Sequence, residues 1–161
     1  MRSYLRREIP PGRAAGKATL SEMASLVVRD ATPSMRERAL EIVSFAVSPM
    51  DQVEAVESWV RRHIVLVDES PETVTSPEAA MQIIDENGFL YGDCDDASTL
   101  AACLLYVIGF SVRFKAILPV NGVFTHVFVE YRYPGQNIWR PLDVTIPIPP
   151  LYTGGSLVVE I

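Results

Sequence analysis

The chain has 161 residues, 48% of them hydrophobic and 21% charged, which specifies one domain with enough apolar material for a core. A net charge of −6 gives nucleic-acid binding no electrostatic support. The longest nearly uncharged apolar run, Thr99 to Phe110, is too short to span a bilayer, and the charged start followed by Pro10-Pro11-Gly12 is no signal peptide, so the reading is a soluble, cytoplasmic protein with no membrane partner.

Residues 1–18 read as an extended or flexible arm. They carry Arg2, Arg6, Arg7, Arg13 and Lys17 against Glu8 alone. A solvated basic arm is the first reading, and contact with a phosphate or an acidic partner the second. Thr19 or Ser21 caps a helix to about Arg29, with Leu20, Met23, Leu26 and Val27 on one stripe. Thr32-Pro33 opens a second helix to about Val47, with Met35, Ala39, Ile42, Val43 and Ala46 facing in. Asp51, with Glu54 three residues on, caps a third whose stripe is Val53, Val56, Trp59 and Val60, and a short β-prone run, His63 to Val67, follows.

From Asp68 to Asp96 there are nine acidic residues and no basic one. The first part, to Thr75, reads as loop. Ser76-Pro77-Glu78 starts a short helix that Asn87-Gly88 ends, and a central helix runs from about Asp93 to Ile108 and closes at Gly109. Strands are expected over about 111–118, 123–132 and 138–145. Pro147, Pro149 and Pro150 forbid a regular central strand after that, and Leu157 to Ile161 adds a short edge strand. Helices first, then an antiparallel sheet, make the class α+β. No repeat or linker divides the chain.

Three residues carry a candidate chemistry. Cys94 falls in the first turn of the central helix, where unpaired N–H groups and the helix dipole favour a thiolate. His126 falls in the middle strand and Asp143 in the next. Centring a hairpin on Pro134-Gly135 makes partner numbers sum to 269 and sets His126 directly opposite Asp143, within hydrogen-bonding reach. A two-residue turn at Asn121-Gly122 makes the sum 243 for the preceding pair and sets Arg113 opposite Glu130, an ion pair most simply structural. A histidine on an apolar strand is ordinarily a satisfied core residue; the opposing acid and the preceding cysteine reverse that reading. Asp93, Asp95 and Asp96 read first as a cap and first-turn acids whose carboxylates point to solvent, and second as an acidic rim that attracts amines.

The other candidates are weaker. Cys103, mid-helix among Leu100, Ala101, Leu104 and Leu105, reads as a core residue. It lies nine residues from Cys94, on the opposite helix face and roughly 13 Å away. A disulfide needs Cα atoms within about 7 Å, so both thiols are expected free. His63 reads as structural or surface. No zinc or calcium ligand spacing is present, and neither a metal nor a cofactor is expected.

Gly92-Asp93-Cys94-Asp95-Asp96-Ala97-Ser98-Thr99-Leu100, with Leu104-Leu105, Ile108-Gly109 and Arg113, resembles the nucleophile helix of the transglutaminase-like superfamily. Thr125-His126-Val127-Phe128-Val129-Glu130 resembles its histidine strand, and Trp139-Arg140-Pro141-Leu142-Asp143-Val144-Thr145 its aspartate strand. The resemblance covers roughly residues 50–147, and residues 19–50 look like the helical extension of a compact bacterial and phage branch. It implies a single papain-like domain over 19–161, made of that extension and a catalytic core at 51–147. It further implies Cys94 as nucleophile, His126 as base and then acid, and Asp143 as the orienting carboxylate. The implied reaction is attack on a carboxamide or peptide carbonyl to give a thioester, resolved by an amine or by water. The partner is then a protein or peptide substrate, with an amine as the alternative acceptor to water. For the oxyanion the Cys94 N–H is one donor, and Tyr91, Gln82 and Asn87 are candidates for the second. The competing reading is a catalytically silent or virion-associated structural module.

Overall fold

The computed structural model describes residues 6–8, 13–67, 73–117, 126–145 and 155–161. The expected basic arm is shorter than its sequence suggests. Arg6–Glu8 form a strand, β1, and a helix, α1, already runs over Arg13–Asp30. Ala14, Ala15, Lys17 and Ala18 are strong helix formers, so the helix extends upstream of the Thr19 and Ser21 caps.

Side-chain caps set the next helices. Thr32 Oγ1 accepts the Met35 N–H at 3.2 Å and opens α2, Pro33–Ile42. Ser48, rather than the expected Asp51, caps α3, Pro49–His63. Its Oγ accepts the Asp51 N–H at 3.1 Å, while Asp51 Oδ2 accepts the Val47 N–H at 3.3 Å. The cap falls three residues earlier because Pro49 suits the first helical position. Val53, Val56 and Val60 are buried as the stripe requires.

β2, Ile64–Leu66, follows α3 directly, and β3, Thr73–Thr75, falls within the stretch expected to be loop. α4 is Pro77–Asn87, capped by Ser76 and closed by Gly88 at φ +85°, a left-handed value that suits glycine. β4, Leu90–Gly92, leads into α5, Cys94–Val107. Every residue of α5 from Asp95 to Leu105 is buried. Such a helix is the centre of the fold: it packs against α1, α2, α3 and α4 on its sides and against the strands at Ser111–Ile117 and His126–Arg132.

β5, Ser111–Ile117, pairs antiparallel with β6, His126–Arg132, in the expected register, Arg113 opposite Glu130. Arg113 Nε donates to Glu130 Oε2 at 2.6 Å. The Asn121-Gly122 turn and the proline run at 147–150 lie outside the described residues. β7, Arg140–Leu142, flanks β6, and the edge strand expected near the end is β8, Ser156–Glu160, against β5. The main sheet is thus antiparallel in the order β7-β6-β5-β8, the α+β arrangement the element order implied. Two small sheets stand apart: β1 antiparallel to β3, and β2 parallel to β4.

The β6–β7 register departs from expectation. Val129 faces Leu142 and Tyr131 faces Arg140, so the partner sum is 271 and not 269. The turn itself forms, with the Gln136 N–H donating to the Tyr133 carbonyl at 3.0 Å and Gly135 at φ +77°. Strand pairing, however, resumes only at Arg140, so two further residues are taken up in the return segment. A slip of two preserves the face of every side chain, where a slip of one would have reversed it.

A candidate cysteine active site

Asp93 takes an extended backbone (φ −111°, ψ −163°) between β4 and α5, and Cys94 is therefore the first residue of the helix. Asp93 Oδ1 accepts the N–H groups of Asp95 at 2.9 Å and Asp96 at 3.3 Å. Asp96 Oδ2 returns to accept the Asp93 N–H at 3.2 Å, completing a capping box. The other oxygen, Oδ1, accepts the Thr75 N–H of β3 at 2.6 Å. Asp96 is fully buried by these contacts, and burial, opposed by the Thr75 N–H, pushes its carboxyl up to about 6. The glycine of the motif has a packing reason: a Cβ on Gly92 would stand 2.7 Å from Asp96 Oδ2 and 2.8 Å from Asp96 Cβ.

Asp93 is thus the cap that the sequence pattern indicates, but Asp95 and Asp96 do not point into solvent. Both are buried, Asp96 because the capping box draws it under the chain. Asp95 Oδ1 lies 3.7 Å from Cys94 Sγ and accepts the thiol hydrogen. The expected lowering of the thiol pKa is reversed. Burial first, and then the Asp95 charge, push the Cys94 thiol up, against a pull downward from the Val127 backbone N–H. The helix dipole does not prevail at a sulfur this desolvated and this close to a carboxylate.

The helix that Cys94 opens is tied to β6 beside His126. Val127 follows His126 in β6, and the Ser98 hydroxyl donates to its carbonyl at 3.2 Å. His126 opens β6, its Nε2 hydrogen-bonded to Asp143 Oδ2. The two-residue register shift makes this a diagonal contact rather than a directly opposed one, and the imidazole is long enough to span it. Asp143 is almost wholly buried, and its Oδ1 accepts from the Thr145 N–H at 3.0 Å and Thr145 Oγ1 at 2.7 Å. Burial raises the Asp143 carboxyl, but the His126 and Thr145 hydrogen bonds outweigh it and hold the group below its ordinary value. With Nε2 engaged by the acid, Nδ1 is the ring nitrogen left to exchange a proton. The thiol hydrogen bond goes to Asp95 and not to His126, so the structure bonds His126 to Asp143 and leaves the thiol outside that pair.

The oxyanion candidates separate. Tyr91 sits on β4, half-exposed, its ring edge-on to Phe89 at 5.0 Å. The Gln82 amide donates to Glu86 Oε1 at 3.0 Å on the exposed face of α4, and Asn87 ends that helix. His63, expected to be structural or surface, stacks on Trp59 at 4.1 Å between ring centres and bonds the Trp59 carbonyl at 2.7 Å. Cys103 is fully buried, with its thiol pushed up to about 12 by burial, then Asp30. Asp93, Cys94 and Asp95 bring ligand atoms within 4.8 Å of one another, but Asp93 is committed to the helix cap and the cluster alone does not make a metal site. No described helix is long and apolar enough to cross a membrane. Thr145 escaped the sequence reading, although Asp-x-Thr is a pattern in which the acid accepts from the backbone two residues on.

The sequence matches the family model of the transglutaminase-like superfamily over residues 36–144. No curated protein matches it by sequence. Among solved structures, a candidate protease from Parabacteroides distasonis superimposes with a TM-score of 0.58 at 11% identity, covering 94% of this chain and 30% of that one. A TGase crystal structure gives 0.47 at 16% identity, covering 91% and 36%. The chain therefore spans about a third of the length of either structure. With the family model running through Cys94, His126 and Asp143, the chain belongs to the transglutaminase-like superfamily.

Proposed function

We propose that the protein is a cysteine-dependent acyltransferase or hydrolase acting on carboxamide or peptide carbonyls. The observation that carries the reading is the His126–Asp143 pair, set on the strand whose next residue, Val127, accepts the Ser98 hydroxyl of the helix that Cys94 opens. In the proposed reaction the thiol rotates from Asp95 toward His126 Nδ1, which takes its proton as the sulfur attacks the carbonyl carbon. Asp143, ionised and hydrogen-bonded to Nε2, stabilises the imidazolium. The Cys94 N–H at the helix start donates to the oxyanion, with Tyr91 the nearest side-chain candidate for a second donor. Collapse of the tetrahedral intermediate breaks the carbon–nitrogen bond, and His126 returns its proton to the departing amine. The thioester on Cys94 then passes to water or to a second amine.

One observation favours the silent-module reading instead: burial and Asp95 keep the thiol protonated at rest. The two separate on incubating wild type and Cys94→Ala with a glutamine peptide and a primary amine. Mass spectrometry should find an amine adduct for transfer, or glutamate or cleaved peptide for hydrolysis, from wild type alone. The absence of any Cys94-dependent product, together with Cys94 alkylating no faster than Cys103, would refute the enzyme reading.

A further inference from the structure

We propose that Arg61 is a positioning residue for Asp143, an inference that rests on reading His126–Asp143 as the catalytic base. Asp143 lies one residue beyond β7, past the last ladder pair, Val129 with Leu142, and Pro141 within that strand has no N–H to contribute. Strand pairing therefore does not hold the acid. Beyond it, Val144 and Thr145 border a cavity of about 240 Å³ shared with Ile64, Leu66 and Ala97.

Arg61, on α3, crosses to this segment. Its Nη2 donates to the Asp143 carbonyl at 2.8 Å, and its Nε donates to the Val144 carbonyl at 3.3 Å. Glu57, one turn earlier on α3, pairs with Nη2 at 2.8 Å and fixes the guanidinium from behind. A planar fork that bonds two successive carbonyls fixes both the position and the direction of the backbone it grips. Thr145 sets the rotation of the Asp143 carboxylate, and Arg61 sets where its backbone stands. Because α3 also packs against α5, the same helix references the acid to the element that carries Cys94.

The test compares wild type with Arg61→Gln, Arg61→Lys and Asp143→Asn. It uses the nitrogen-15 spectrum of the His126 imidazole across pH and the pH profile of Cys94 alkylation by iodoacetamide, with urea unfolding as a separate measure of stability. Wild type should hold the proton on Nε2, and Asp143→Asn should lose that preference. Arg61→Gln should move the imidazole spectrum toward that of Asp143→Asn and slow Cys94 alkylation near neutral pH roughly threefold to tenfold, the scale of one weakened hydrogen bond. Arg61→Lys, a point charge that cannot span two carbonyls, should fall between, and carries the test should the glutamine variant not fold. A role confined to stability would lower the urea midpoint and leave the tautomer untouched, which would overturn the inference. An imidazole unchanged in Asp143→Asn itself would overturn the reading of the pair on which the inference stands.

Discussion

Asp95 adds to burial in keeping the sulfur protonated, and replacing it with asparagine isolates its share. The carboxylate oxygen lies 3.7 Å from Cys94 Sγ. Two unit charges about 4 Å apart interact by about 4 kcal/mol at an effective dielectric of 20. The sulfur is desolvated but the residue as a whole keeps some exposure, and screening by that water reduces this to about 2 kcal/mol, or roughly thirtyfold in thiolate population at fixed pH. Asn keeps the shape and removes the charge. The assay is iodoacetamide labelling near neutral pH, followed peptide by peptide, with Cys103 as the internal control. Cys94 in Asp95→Asn should react about tenfold to a hundredfold faster than in wild type, while buried Cys103 keeps its rate. Equal acceleration at both cysteines would report unfolding instead. An unchanged pH profile at Cys94 would refute the argument that Asp95 holds the thiol protonated.

Three further outcomes follow from the geometry. Gly92→Ala should destabilise the fold by about 1–3 kcal/mol, read from urea midpoints, because its Cβ would meet the Asp96 carboxylate at 2.7 Å. Asp96 carries a folded-state pKa of about 6 against an ordinary 3.8, so the folded protein favours its protonated form. Its contribution to stability is full below pH 4 and disappears as pH rises through 6, a change on the order of 2–3 kcal/mol that should show as the difference in pH slope between wild type and Asp96→Asn. Leu104→Ala, at a fully buried position of the central helix, should cost about 2–5 kcal/mol in chemical denaturation without selectively altering Cys94 labelling.

Features governed by neighbours in the chain were legible before any coordinates. Thr32-Pro33, Ser76-Pro77 and Asp93 announce helix starts because capping is a contact over two or three residues. The Arg113–Glu130 register was legible from a turn and a count. What escaped depends on distant partners. β3 and β4 are three residues each and exist because Arg6–Glu8 and Ile64–Leu66 pair with them, which no local pattern records. The β6–β7 register slipped because residues 137–139 remain outside the ladder, although the turn was placed correctly. The direction of the Cys94 shift also turned on burial. A helix start in water favours a thiolate, but this sulfur is desolvated and faced by Asp95.

The Asp96 carboxylate grips Thr75 of β3 with one oxygen and the Asp93 backbone with the other, and Thr75 is in turn the ladder partner of Arg6. Three handshakes therefore link the residue before the sulfur at position 94 to the sixth residue of the chain. A load applied to that leading strand, whether by tethering or by trimming, travels along the same route to the turn of helix that presents the thiol.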